Sequence, residues 1–557
     1  MKGARLLVNT LEERGAKVVF GIPGGTNLPL YDEMRESNLT HILARHECSA
    51  AHMADGYARA SGRIGTCLGT SGPGATNMIT GICTAYMDSS PVLCLTGQVS
   101  TKLVGNDAFQ EADVFDLMIH VTKWNFRVRS PEEIPQVISS SITLATSGRY
   151  GPVAVDLPTD TISSETEDYT ISEINVEMHT DLSDLGRAVY VLNSCSRPVI
   201  LAGGGAKWSG CGPLLLQFAE KLGAPVVTTV MGKGTVPEDH CLVLGTTGMH
   251  GRGSSALALR EADTIIAIGT RFSDRTTGKT GSFAAGKRVI HIDIDAAEIG
   301  KNLKDVVGLS GDCGAVISLL LPLIKGRDRS EWLAKISTAR EFCKCDYNLL
   351  DAPLKPQKII YEMNRVLPDD TILTTDVGQH QMFAAHFFEI RGRRRFITSG
   401  GLGTMGFGLP AAIGAKIASG NSTVVCLAGD GGFQMTMAEF ATAVENNIKV
   451  LVVIMNNSSL GMVRQFQKHF YGNNIFAVDY SRTPDFVKFA EAMGGDGVIV
   501  ERQSEVEEAL KRGLKSEVPF IADMRVDINE DCLPMKPPWA DANGTIYGRC
   551  KWRDVIA

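Results

Sequence analysis

The sequence predicts an α/β protein made of three doubly wound domains with mostly parallel sheets. Short apolar runs end in glycine turns, as in "KVVFGIPGG" and "TVVCLAGDGG", and helix-period segments separate them along the chain. Such alternation builds parallel sheets covered by helices. At 557 residues there is room for three or four units of this kind.

The first block covers residues 1–165. It opens on a helical pattern, "ARLLVNTLEERG". "KVVFGIPGG" and "RIGTCLGTSGPGATN" are strands running into turns, and "GPVAVDLP" closes the block. Between those strands lies "RHECSAAHMADGYARASG", an alanine-rich helix that starts at Glu47, whose Ala50, Ala51 and Ala54 predict a close-packed partner. The polar "TDTISSETEDYTISEINVEMHTD" reads as a linker. A second block, 182–325, has "RPVILAGGGA", "APVVTTVMGKG", "ADTIIAIGTRFSDR" and "KRVIHIDIDAAEIG". The charged "GRDRSEWLAKISTAREFCKCDYNLLD" reads as a surface helix joining blocks. The third block, 350–530, carries "TILTTDVGQHQ" and "GLGTMGFGLPAAIGA", and a tail, 531–557, has little periodicity. The first and third blocks share size and glycine turns without a clean internal repeat.

A net charge of −7 and no long basic run argue against nucleic-acid binding; the one dense basic cluster, "RGRRRF", reads as a solvated loop. Thirteen cysteines without a C-x-x-C pair suit a reduced compartment. The N-terminus shows no signal or transit peptide, and runs such as "VISLLLPLI" are too short to cross a bilayer. The expectation is a cytoplasmic protein without membrane partners.

The chemistry concentrates at Gly429-Asp430-Gly431-Gly432. A strand from about 423 to 427 leads into it, "MTMAEFATAVENN" follows as a helix, and "KVLVVIMNN" is a second strand ending at Asn457. A βαβ unit brings both strand ends to one sheet edge, where open α/β sheets bind ligands. One carboxylate and one amide oxygen there suit Mg²⁺, with a phosphate completing its shell. The glycines allow close backbone approach to a diphosphate. A plain βαβ turn with a capping Asp is the alternative. Glu47, among small apolar neighbours, is expected to have a raised pKa and to share a proton with a ring nitrogen. The alternative is a helix-start carboxylate favoured by the macrodipole.

GDG followed by an NN pair, with an upstream Glu in "RHE", resembles the thiamine diphosphate (ThDP) enzymes. "GIPGGTNLPLYD", "RHECSAAHMADGYARASG", "TSGPGATNMITGICTAYMDS", "GQV", "DAFQEADV" and "LGMVRQF" are similar to the catalytic large subunits of acetolactate (acetohydroxyacid) synthases, in order over residues 1–538. The resemblance implies an N-terminal pyrimidine-binding domain, a central flavin-type domain and a C-terminal diphosphate domain. It implies that Asp430, Asn457 and the Ser459 carbonyl hold Mg²⁺. Gly24, Gln379, His380, Gly403, Met405, Gly429, Gly431, Gly432, Gly461 and Met462 would surround ThDP. Glu47 would hydrogen-bond the aminopyrimidine N1′ and favour its imino tautomer, which removes the C2 proton. Phe109 and Gln110 match residues near the reacting centre, and Arg275 one that binds the acceptor's carboxylate.

The middle block resembles flavin-binding members through "GMHGRGSSALALREADTIIAIG", "GTRFSDR", "DIDAAEIGKNLKDVVGLSGD" and Arg149 in "GRYGPV". The implied FAD contacts are Arg149, Gly203, Gly204, Gly248, Met249, His250, Gly269, Arg271, Arg275, Asp293, Asp295 and Asp312, around a flavin with a structural, non-redox role. The implied reaction is decarboxylation of pyruvate and ligation of the two-carbon unit to a second 2-keto acid, in branched-chain amino acid biosynthesis. The implied assembly is a homodimer or tetramer with active sites between chains, accompanied by a small regulatory subunit. Two positions depart from the family pattern: Thr159 stands where lysine is usual and Phe466 where tryptophan is usual. They keep open a ThDP-dependent decarboxylase or carboligase acting on another 2-keto acid.

Overall fold

Among the described residues, apolar runs rich in valine, isoleucine and leucine form eighteen strands in three six-stranded sheets, with parallel pairing throughout. This computed structural model describes residues 1–342 apart from 168, 173 and 179, then 351–540 and 544–547. The expected surface-helix segment therefore lies partly outside the described residues, as do Cys343, Cys345 and the last ten residues of the tail.

The first sheet holds β1 (Val18–Gly21), β2 (Thr40–Leu43), β3 (Gly65–Gly69), β4 (Val92–Gln98), β5 (Trp124–Arg127) and β6 (Val153–Pro158), in the order β2-β1-β3-β4-β6-β5. The middle sheet holds β7 (Pro198–Ala202), β8 (Val226–Thr228), β9 (Val243–Thr246), β10 (Thr264–Ile268), β11 (Arg288–Asp293) and β12 (Val307–Ser310), ordered β12-β11-β10-β7-β8-β9. The third holds β13 (Ile372–Thr375), β14 (Arg395–Thr398), β15 (Val424–Gly429), β16 (Leu451–Asn456), β17 (Asp496–Val500) and β18 (Phe520–Arg525), ordered β14-β13-β15-β16-β18-β17.

The first and third sheets thus share one strand order, so the similarity of the two blocks extends to topology. Their switch points lie between β1 and β3 and between β13 and β15. Counted from its own first strand, the middle sheet has the dinucleotide-binding order 3-2-1-4-5-6, with its switch point between β7 and β10.

The alanine-rich helix Glu47–Ser61 is the main contact between the first and third units. It lies against the helix Gly408–Ser419, and one apolar cluster containing Ala50, Ala54, Ile82, Phe407, Ala411 and Phe440 runs through both. The approach needs missing side chains: a Cβ on Gly414 would overlap the Met53 carbonyl, and one on Gly56 the Ala411 carbonyl.

Three local expectations change. "RGRRRF" is a solvated loop only in part: Gly392, Arg393 and Arg395 are exposed. Arg394 is buried and donates to the carbonyls of Asn364, Leu367, Pro368 and Glu389, and Phe396 is buried on β14. A ring of main-chain acceptors replaces the water that a guanidinium would otherwise need. The helix after the GDG turn is two helices, Asp430–Thr436 and Glu439–Glu445, and the first begins directly at Asp430. The helix Ser330–Phe342 is more than a surface connector, because Trp332 and Ile336 are buried against the middle sheet and the indole N–H donates to the Pro198 carbonyl at 3.0 Å. In the tail, Cys532 and Met535 are fully buried and Met535 pairs with Ile546. Among the described residues, no helix is long and apolar enough to cross a membrane.

Candidate active site

Two strand ends at the switch point of the third sheet create a cavity of about 210 Å³. β13 delivers Val377, Gly378, Gln379 and His380; β15 delivers Gly429, Asp430, Gly431 and Gly432; the segment after β16 adds Asn457, Ser459, Gly461 and Met462. Gly403 and Met405 close one side, in a segment that turns through left-handed backbone at Gly403 (φ +75°) and Gly406 (φ +89°).

Asp430 is 1 % exposed and neither carboxylate oxygen has a well-formed hydrogen bond. Burial pushes its pKa up to about 7, against the pull of its own and the Asn457 backbone amides. A buried carboxylate with no well-formed hydrogen bond is costly unless a cation arrives. Asn457 Oδ1 accepts from the Ser459 N–H at 3.1 Å and keeps a second lone pair, while its Nδ2 donates to Gln379. Among the described residues, no group of three His, Cys, Asp or Glu is placed to hold a metal. The available set is one carboxylate, one amide oxygen and one carbonyl, hard donors that fit Mg²⁺ provided a phosphate completes the shell.

The cavity walls are glycine by necessity. A Cβ on Gly461 would overlap Gln379 Oε1, one on Gly432 would sit 2.6 Å from Asp376 Oδ1, and one on Gly429 would sit 2.9 Å from His380 Nδ1. His380 is buried with Nε2 unpartnered, and burial drives its pKa down to about 3, so the ring is neutral.

Glu47 occupies a different place. It starts its helix, is 9 % exposed, and accepts from Asn77 Nδ2 at 2.9 Å. Gly24 and Gly74 pack on Thr70 beside it, at the β1/β3 switch point, where a Cβ on Gly74 would lie 3.5 Å from Glu47 Oε1. Glu47 and Gly24 do not line the Asp430 cavity of their own chain. Phe109 is 88 % exposed, and Gln110 has φ +59° with its carbonyl against Gly72. Thr159 donates to the Thr26 carbonyl at 2.8 Å on this same edge.

A second, larger cavity of about 820 Å³ opens at the middle switch point. Arg149, Gly204, Met249, His250, Gly269, Arg271, Arg275, Asp293 and Asp312 line it. Gly203, Gly248 and Asp295 do not. Gly203 permits contact between the β7 and β10 turns, where a Cβ would overlap the Gly269 carbonyl, and Gly248 permits contact with the Arg275 carbonyl. Asp295 pairs with Arg149, which also pairs with Glu298 at 2.8 Å. Burial raises Asp293 to about 6 and lowers His250 to about 3. The two cavities share Val377, Gly403 and Met462, and Phe466 lines the larger one with Arg275.

Models of the thiamine pyrophosphate enzyme N-terminal TPP binding domain, central domain and C-terminal TPP binding domain match residues 1–117, 185–320 and 376–524. The probable acetolactate synthase large subunit of Methanocaldococcus jannaschii is 46% identical, covering 97% of this chain and 94% of that protein. The chain belongs to the acetolactate synthase large subunits. The acetolactate synthase isozyme 1 large subunit of Escherichia coli is 39% identical over 98% of this chain and 97% of its own length. The large subunit of Lactococcus lactis is 42% identical over 96% and 94%. As in its family, the chain is a ThDP-dependent enzyme that catalyses carboligation.

Sequence reasoning passed over several residues of this acetolactate synthase framework. Asp376, at the end of β13, accepts from the Gly406 and Gly408 amides and so holds the turn bearing Met405. Burial raises it to about 6. A strand-end Asp before Val-Gly was its only local signal. Asn77, which orients Glu47, and Glu298, which anchors Arg149, had none.

Proposed function

We propose that the chain decarboxylates pyruvate and ligates the two-carbon unit to a second 2-keto acid, the first common step of branched-chain amino acid biosynthesis. The observation that carries this reading is the unpartnered Asp430 carboxylate facing Asn457 in a glycine-walled cavity that opens into a second, larger one. Asp430, Asn457 and the Ser459 carbonyl hold Mg²⁺. Gln379, Gly429, Gly431, Gly432 and Gly461 surround the diphosphate, neutral His380 offers its imidazole to it, and Met405 and Met462 support the ring system. ThDP, when bound, supplies the nucleophilic carbon and the electron sink.

Glu47, with Gly24, belongs to an active site completed by a second copy of the chain, where it holds a proton at the aminopyrimidine. The minimal active unit is then a dimer, to which Phe109 and Gln110 contribute at the reacting centre. Arg275, on the wall shared with Phe466, takes the acceptor's carboxylate. FAD fits the larger cavity as a structural element: the strand order is the dinucleotide-binding one, and the condensation has no net redox change. The same family membership supports a small regulatory subunit as partner and a cytoplasmic location.

The test is product analysis with pyruvate, with and without ThDP, Mg²⁺ and FAD. The reading expects 2-acetolactate and CO₂ in equal amounts, dependent on ThDP and Mg²⁺. Acetaldehyde and CO₂ without acetolactate would overturn it.

A further inference from the structure

The segment that delivers Glu47 is held by the third unit of its own chain. β2 ends at Leu43, and the helix that carries Glu47 begins four residues later. The Arg45 and His46 amides precede that helix, and both point at one carboxylate, Glu439. Arg45 N–H donates to Oε1 at 3.0 Å and to Oε2 at 3.2 Å, and His46 N–H donates to Oε1 at 3.1 Å. Thr442 Oγ1 donates to Oε2 at 2.8 Å. Glu439 is 1 % exposed. The same short helix grips the segment again through the Arg45–Glu445 ion pair at 2.5 Å. Glu439 opens the helix Glu439–Glu445, which follows two residues after the helix that begins with Asp430.

We infer that Glu439 is a positioning residue for Glu47: its carboxylate clasps the two amides that aim the Glu47 helix, and so fixes where the Glu47 carboxylate meets the aminopyrimidine. The inference rests on the reading of Glu47 given above. Glu439 lines neither cavity and touches no reacting atom. A neutral amide in its place keeps the volume but presents an N–H₂ to main-chain N–H groups, which rotates the segment or leaves a donor unpaired. Small displacements of a proton-transferring group cost far more rate than stability. Burial raises the Glu439 pKa, against the pull of the Thr442, Arg45 and His46 donors.

The test compares Glu439→Gln and Glu47→Gln holoenzymes with the parent. Hydrogen–deuterium exchange at C2 of bound ThDP is read by rapid quench, together with ThDP and Mg²⁺ affinity, the thermal midpoint, and kcat and KM for pyruvate. The expectation for Glu439→Gln is exchange and kcat slowed about 10- to 100-fold, with KM and cofactor affinity held within about threefold. Exchange at the parental rate, with only the thermal midpoint lowered, would overturn the inference. Should Glu439→Gln fail to fold, Thr442→Val and Glu439→Asp decide: slowed exchange supports the clasp and unchanged exchange overturns it. Glu47→Gln separates the two readings. If its own exchange matches the parent, the role of Glu47 fails. If Glu47→Gln alone loses exchange, only the clasp fails.

Discussion

The two carboxylates central to this enzyme are prepared in opposite ways. Glu47, at the edge of the first sheet, is satisfied by Asn77 and held from behind by a clasped backbone. Asp430, at the edge of the third, is left bare, and burial raises its pKa to about 7. One half-site is complete and waits for a ring nitrogen. The other is incomplete and waits for a cation. Since the two sheets share one strand order, the difference lies in what the strand ends carry rather than in the fold.

The sharpest way to break this comparison is to neutralise each carboxylate in turn. Glu47→Gln should keep ThDP and Mg²⁺ binding while kcat falls by about 10²- to 10⁴-fold, the range for losing a positioned acid–base group. Asp430→Asn should instead weaken Mg²⁺ and ThDP binding by about 100-fold or more, since the loss of partners one step further from a metal already costs 10- to 100-fold. Titration calorimetry of both variants reads the contrast. Equal loss of affinity in both would erase the distinction.

A smaller effect follows from the Asp430 pKa. Its folded value lies above the usual 3.8, so between about pH 4 and 7 the folded chain without cofactor holds a proton that the unfolded chain has lost. Stability of the cofactor-free protein should therefore decline as pH rises through that window, by up to roughly 1.4 kcal/mol per unit. Asp430→Asn should flatten the decline, and Mg²⁺ with ThDP should reverse it by displacing the proton. Thermal melts from pH 5 to 8, with and without cofactors, check this. A slope that is the same in Asp430→Asn would contradict it.

The smallest effect concerns the acceptor. Phe466 packs on Phe470 and shares a wall with Arg275, where a tryptophan is usual in the family. Phe466→Trp should shift the ratio of 2-ketobutyrate to pyruvate incorporation by about tenfold, the low end of the range over which an apolar pocket senses a methylene. Competition between the two acceptors measures it, and an unchanged ratio would remove Phe466 from specificity.

The legible parts of this molecule are local. Gly429 to Gly432, the Asn456-Asn457 pair and the alanines after Glu47 announce strand ends and close packing within a few residues of themselves. What stayed hidden depends on distant closure. Glu439 meets Arg45 across 394 positions, and Asp376 meets Gly406 across 30; no periodicity or turn signal encodes either. The burial of Arg394 is hidden for the same reason, because its carbonyl partners are assembled only when the chain folds. Gly203 and Gly248 show a subtler limit. A glycine turn signals a close approach, but not whether ligand or backbone makes it.

Central to the account is that Glu47 and Asp430 act in one site contributed by two chains, because Glu47 does not line the cavity of Asp430 within one chain. Mixing the inactive Glu47→Gln and Asp430→Asn proteins, allowing subunits to exchange, and assaying acetolactate tests this directly. Hybrid dimers then hold one site with both carboxylates intact, and activity should recover to about a quarter of the parental value. No recovery, with exchange verified by differently tagged chains, would place both carboxylates in a site within a single chain and contradict the account.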